Sequence, residues 1–378
     1  MRLLLLLIPG ILGLLSVQAQ TAGRARDKGI NIGVLPVGKW NAITDVPGVL
    51  VGYTTVLKGD SIRTGVTAIL PYAGNIFQQK VPAAIYTGNG FGKLAGSTQV
   101  QELGNLETPV ILTNTLNVAT AIDAVVEYTL QQPGNEKIQS VNAVVGETND
   151  GWLNDIRGRH VQKKDVQDAI RNATSGPVTE GSVGAGTGTI CFGFKGGIGT
   201  ASRKLPASLG GYTVGVLVQT NFGGVLQIDG VPVGKELGVF SFSDKLLNNV
   251  DGSCMMVVAT DAPVDSRNLE RMAKRAIMGM AKTGGIASNG SGDYVIAFST
   301  ATSSRIPHEP ATAVQDYSLL HNDYTSQLFM ATIEATEEAI INSLFTATAV
   351  TGKAGHTIAP LPVDKVINIL KKYNRINK

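Results

Sequence analysis

The chain has 378 residues, and its 32 Lys and Arg nearly balance 29 Asp and Glu, for a formal charge of +3. With 43% hydrophobic and only 16% charged residues it can bury a large core, which excludes wholesale disorder. No Lys/Arg-rich run marks a nucleic-acid partner, the 45 glycines have no collagen period, and the two cysteines, Cys191 and Cys254, form neither a disulfide framework nor a paired zinc site.

Arg2 precedes the apolar run Leu3 to Leu15, which is followed by Ser16-Val17-Gln18-Ala19. A charged start, a short apolar centre and small residues predict a signal peptide cleaved after Ala19. Pro9 and Gly10 interrupt the run, which is short for a membrane span. No second run of that length follows, so the processed chain, 20–378, is expected to be periplasmic or secreted, with no membrane partner. Residues 20–33, polar and Gly-rich, are expected to form an extended arm.

Strands are predicted at 48–56, 66–71, 82–87, 109–114, 141–146, 213–220, 254–260 and 294–299. Each is rich in Val, Ile, Thr or Tyr and bounded by Gly, Pro, Asn or Asp. Helices are predicted at 117–131, 162–173, 265–282, 325–346 and 363–373. In 265–282, Leu269, Met272, Ala273, Ala276, Ile277 and Met280 fall on one face, with Asp265 or Ser266 as cap and Gly284 as stop. No repeat or low-complexity linker divides the chain, so one layered α/β domain is expected.

Four histidines, His160, His308, His321 and His356, lie outside any nucleophile motif, and there is no G-x-S-x-G elbow. Asp150, Asn154 and Asp155 have oxygen ligands but not EF-hand spacing, and read as turn residues. No metal or organic cofactor is called for. The Gly-rich runs 88–92 and 184–188 match neither a dinucleotide nor a phosphate loop. What remains is a serine without a histidine. A serine liberated as the first residue of a chain can use its own α-amine, with a pKa near 8, as base. Gly252-Ser253 suits this, because a polar, turn-rich stretch, 241–253, runs straight into the apolar strand Cys254 to Ala259. Cys254 is expected to be a buried structural thiol, pointing away from Ser253 by strand alternation. Ser291 and Asp293, two apart, can share one strand face, although the stretch also reads as a turn. Asn221 reads equally as a turn residue, and Glu147 as a surface carboxylate or a partner for Arg157 or Arg159.

The segments Ile43-Thr44-Asp45-Val46-Pro47-Gly48, Thr87-Gly88-Asn89-Gly90-Phe91-Gly92-Lys93, Glu107-Thr108-Pro109 with Thr113-Asn114-Thr115, the stretches 181–188 and 195–203, Val218-Gln219-Thr220-Asn221-Phe222-Gly223, Asp251-Gly252-Ser253 and Ser288 to Asp293 recur here in one order. In them the chain resembles the L-aminopeptidase/D-esterase and β-peptidyl aminopeptidase family. The resemblance implies a four-layer α-β-β-α fold of the self-processing N-terminal-nucleophile type. It implies cleavage between Gly252 and Ser253, and assembly of the resulting α and β chains into a homo-oligomer, often a tetramer. Its substrates would be small peptides, amides or esters. It implies Ser253 as nucleophile, Ser291 and Asp293 as further catalytic positions, Asn221 as oxyanion donor and Glu147 as receiver of the substrate amine. Some relatives have Glu where Asp293 stands, and some have Tyr where Asn149 stands, so no oxyanion role is carried over to Asn149. Asn221 is expected to serve self-cleavage as well, through a related tetrahedral species at the Gly252 carbonyl. The alternatives are a self-processing acyltransferase of the ornithine acetyltransferase type, and a non-catalytic exported binding protein.

Overall fold

The computed structural model describes residues 23–243 and 252–376. The signal segment, the junction after Ala19 and Asp251 lie outside the described residues.

In chain order the elements are β1 (Leu50–Lys58), β2 (Ile62–Leu70), β3 (Gln79–Gly90), β4 (Leu94–Ala95), α1 (Ser97–Leu103), β5 (Asn105–Leu106), β6 (Val110–Asn114), α2 (Val118–Leu130), β7 (Val144–Thr148) and α3 (Lys163–Arg171). Then come β8 (Ile190–Cys191), β9 (Phe194–Lys195), β10 (Ile198–Lys204), β11 (Thr213–Asn221), α4 (Val233–Leu237), β12 (Ser253–Thr260), α5 (Ser266–Lys282) and β13 (Gly292–Ser299). The chain closes with β14 (Ile306–Pro307), α6 (Ser326–Phe345), β15 (Val350–Thr351), β16 (Thr357–Ile358) and α7 (Val363–Lys372).

Two sheets stack face to face. One runs β10-β11-β12-β13-β3-β14, with β5 added to β3; the other runs β1-β2-β6-β7-β4. Three apolar layers hold the stack. Met255, Val257, Tyr294 and Ile296 meet Ile69, Leu112 and Val144 between the sheets. Met256, Val258 and Val295 pack under Met272 and Ala276 of α5 and Ala335 and Ala339 of α6. Ala68, Ile111 and Val145 pack under Ala121 and Val125 of α2 and Val166 and Ile170 of α3. This is the α-β-β-α sandwich. β12 and β13 are covered on both faces, which is why they read as unbroken apolar runs instead of alternating ones.

Local signals account for most boundaries. Asp265 caps α5, accepting a bond from the Asn268 N–H at 2.8 Å. β10 was not foreseen, because Ile198 to Lys204 mixes Gly, Thr, Ser and Arg. Its residues up to Arg203 are nevertheless buried, since the strand lies beneath α6. The arm from residue 23 is not free. Ala25, Ile30 and Ile32 are buried in the helix-side core, and a charge network fastens the arm to α6. Arg203, fully buried, bonds Glu334 at 2.9 Å, Glu338 at 2.8 Å and the Ile32 carbonyl at 2.7 Å. Arg26 holds Glu338 at 2.6 Å, and Glu334 accepts the N–H groups of Val34 and Leu35 at 3.0 and 3.1 Å. Burial pushes Glu338 up, but Arg26, Arg203 and Asn41 more than offset it and hold the carboxyl below its ordinary value. Gly33, at φ 76°, must be glycine: a Cβ there would fall 2.2 Å from the Glu334 carboxyl.

Removing Arg203 leaves two buried carboxylates without their shared cation. Arg203→Met is expected to lower stability by about 3–5 kcal/mol in a denaturant titration, whereas Lys164→Met, at an exposed pair, changes it by less than about 1 kcal/mol.

Candidate active site

Three strands converge at one end of the larger sheet and set the centre of the site. Ser253 begins β12, facing Asn221 at the end of antiparallel β11 and Gly292 at the start of parallel β13. Directly opposed residues share a sheet face, so the Asn221 side chain stands beside Ser253. Ser253 Oγ donates to the Gly252 carbonyl at 2.7 Å and accepts the Gly292 N–H at 3.3 Å. That N–H also reaches the Gly252 carbonyl oxygen, at 3.2 Å.

The space around the hydroxyl is defined by missing side chains. A Cβ on Gly252 would fall 2.2 Å from the Asn221 carbonyl oxygen, and one on Gly292 would fall 2.6 Å from Gly92 Cα. Both are backbone atoms of packed strands or turns and cannot swing away. The cavity over Ser253, about 280 Å³, is bordered by Phe91, Trp152, Ile190, Phe192 and Phe222, with Gly92, Gly193, Gly223 and Gly290 between them. Trp152 stacks on His356 with ring centroids 4.1 Å apart, and His356 Nδ1 bonds the Trp152 carbonyl oxygen at 3.0 Å.

Glu147 lies on the same cavity, not on the surface and not paired with Arg157 or Arg159. It is 2% exposed. Its Oε1 accepts the Lys93 N–H at 2.9 Å, and its Oε2 accepts the Thr115 hydroxyl. Those two donors hold the carboxylate, and no cation pairs with it among the described residues. Thr115 was visible only as part of a matched segment.

Asn221 is gripped at both ends of its amide. Oδ1 accepts the Ile190 N–H at 2.9 Å, which fixes the orientation of the group, and Nδ2 donates to the Asn149 carbonyl at 3.1 Å. The second Nδ2 hydrogen has no partner among the described residues. Asn149 takes part through its backbone; its side chain accepts the Gly151 N–H at 2.9 Å within its own turn. Asp150 and Asn154 complete that turn, bonded to each other at 3.0 Å, and burial lifts the Asp150 carboxyl to about 7.

Ser291 Oγ donates to Asp293 Oδ1 at 2.8 Å. Asp293 is opposite Cys254 in the parallel ladder, one residue out of phase with Ser253, so it lies on the helix-facing side of the sheet. Burial lifts the Asp293 carboxyl to about 6, against the pull of the Ser291 hydroxyl and the Cys254 N–H; its Oδ2 is buried with no hydrogen-bond partner among the described residues. Cys254 is fully buried, and burial first, then the Asp293 charge, pushes its thiol well up. It is a packed thiol, not a nucleophile.

A serine at the head of a buried strand, a neighbouring amide donor and a buried carboxylate on one cavity define a serine hydrolase of the N-terminal-nucleophile fold. The model of peptidase family S58 matches residues 41–358. The chain is 42% identical to a β-peptidyl aminopeptidase, BapA, of Sphingosinicella microcystinivorans, over 97% of each chain. Among solved structures, a Pyrococcus horikoshii protein superposes with a TM-score of 0.87 at 47% identity, covering 94% of this chain and 100% of the other. An L-aminopeptidase D-Ala-esterase/amidase of Ochrobactrum anthropi, described as a variant of the Ntn hydrolase fold, superposes with a TM-score of 0.86 at 35% identity, covering 94% and 99%. The chain belongs to peptidase family S58. It is a serine aminopeptidase, a hydrolase.

Burial brings the Asp293 carboxyl to about 6 and Asp150 and Lys195 to about 7, so Asp293 titrates lowest of these three. Hydrolysis is expected to rise as pH climbs through about 6 and the carboxyl loses its proton. Asp293→Asn should lose that acid limb in a pH–kcat/KM profile, and Asp293→Glu should keep it.

Proposed function

We propose that the chain is exported, cuts itself between Gly252 and Ser253, and then removes the first residue of small peptides, amides or esters. The observation that carries this reading is the joint placement of Ser253, Asn221 and Glu147 on one cavity. The substrate's ammonium group bonds Glu147. Its first carbonyl then lies at Ser253 Oγ, and the freed α-amine of Ser253 takes the hydroxyl proton. Asn221 Nδ2 donates its unused hydrogen to the developing oxyanion, and Ser291 with Asp293 steadies the proton path. The tetrahedral species collapses as the scissile C–N or C–O bond breaks and the Ser253 α-ammonium gives its proton to the departing amine or alcohol; water then hydrolyses the ester on Ser253 Oγ, releasing the acid and restoring the hydroxyl.

The first residue includes β-amino acids, and the support is twofold. A curated relative carries that activity in its name, and glycines leave the cavity wall without side chains where a longer backbone needs room. The leader 1–19 directs export to the periplasm or medium, and the cut chains remain paired and assemble into a homo-oligomer, a tetramer in keeping with the resemblance. No cofactor is required by this chemistry.

A denaturing gel of the purified protein is expected to show two chains, the smaller beginning Ser-Cys-Met-Met. Ser253→Ala should remain intact and inactive; a single uncut band with full peptidase activity overturns the reading. Glu147→Gln replaces the anionic acceptor by a neutral one. It is expected to cut hydrolysis of free-amine p-nitroanilides at least tenfold, with self-cleavage changed far less. An unaltered ratio between free-amine and N-acetylated substrates removes Glu147 from this role.

A further inference from the structure

The carbonyl broken in self-cleavage and the carbonyl of a bound substrate need not meet the same donor. The first is part of the chain, so its surroundings are fixed by strand register. The Gly252 oxygen accepts the Gly292 N–H at 3.2 Å, as a regular bond of the parallel β12–β13 ladder. From the β11 side, what crowds Gly252 is the Asn221 carbonyl oxygen, 2.2 Å from where a Gly252 Cβ would stand. That atom is an acceptor and cannot steady negative charge. The Asn221 amide itself is turned to Asn149 by the Ile190 N–H.

We propose that the Gly292 N–H, and not the Asn221 side chain, is the oxyanion donor of self-cleavage, so that maturation and peptide hydrolysis use different donors. The inference rests on the self-cleavage reading above. Ser253 Oγ bonds to the Gly252 carbonyl carbon, and the carbonyl electron pair moves onto oxygen, where the Gly292 N–H already points. The hydroxyl proton passes to the Ser253 nitrogen, the C–N bond breaks, and Gly252 is left as an ester on Ser253 Oγ. Water then adds to that ester, giving a Gly252 carboxylate and restoring the Ser253 hydroxyl beside a free amine. The same N–H lies 3.3 Å from Ser253 Oγ, so the oxygen that attacks and the oxygen that takes the charge are aligned by one group. Gly292 also has to be glycine, since a Cβ would strike Gly92 and stand 3.3 Å from Ser253 Oγ.

The test compares two rates in purified protein: appearance of the chain beginning at Ser253, and hydrolysis by the cut fraction. In Asn221→Ala, self-cleavage is expected to stay within about threefold of wild type, while kcat for hydrolysis falls about a hundredfold, the size expected for a lost donor. A parallel fall of both rates overturns the inference. Replacing Gly292 by glycolate through nonsense suppression exchanges its N–H for an ester oxygen and adds no atoms. That chain is expected to cut itself at least a hundredfold more slowly while keeping its circular dichroism spectrum. Unchanged cutting by the folded glycolate protein also overturns it. Should wild type never cut, the self-cleavage reading itself falls, a result distinct from either.

Discussion

The centre of this site follows from the register of three strands. With Ser253 opposite both Asn221 and Gly292, one hydroxyl has a side-chain amide on one flank and a backbone amide on the other. Side-chain direction has a period of two along a strand. A slip of one residue would turn Ser253 to the helix side and present Cys254 to the cavity. The register is secured by burial: Met255 and Val257 fit the layer between the sheets, and Met256 and Val258 fit the layer under the helices. Ser253 is thus positioned by the apolar core behind it.

The structure also accounts for how a chain broken before Ser253 would hold together. β12 lies between β11, from one side of the break, and β13, from the other. The arm from residue 23 is bound to α6 by the Arg26, Arg203, Glu334 and Glu338 network. The β15–β16 hairpin is pressed against the turn that carries Asn149 and Trp152, with the Lys353 N–H on the Leu153 carbonyl at 2.8 Å. Segments before and after Gly252 therefore interlock at the sheet, at the charge network and at the rim of the cavity.

Behind Asn221, a second buried cation shapes the site. Lys195 is fully buried and gives its ammonium to the Gly186 and Gly196 carbonyls at 2.8 and 2.7 Å. Burial lowers it to about 7. Its bond to Gly186 joins the two ends of the loop that carries Ile190, Cys191 and Phe192. The tip of that loop lines the cavity and sets Asn221 through the Ile190 N–H. A lysine among carbonyls is a costly brace, and here it stands behind the amide that the proposed chemistry relies on.

By itself the sequence determined the elements with strong local signals: the capped stripe of α5, the apolar runs of β12 and β13, and a serine poised after a glycine at a strand's head. Matched segments pointed to the fold, the family and the residues Ser253, Ser291, Asp293, Asn221 and Glu147. Their patterns are short-range and carried by side-chain type, which a sequence displays directly. Only the tertiary structure decided what depends on backbone and register. The Lys93, Ile190 and Gly292 N–H groups belong to the site through atoms common to almost every residue, so no letter of the sequence marks them. Strand β10 escaped notice because its small and polar residues are buried by α6, a partner far along the chain. Asn149 joins through its carbonyl, and Glu147 is buried and not a surface carboxylate, because loops distant in sequence close over them.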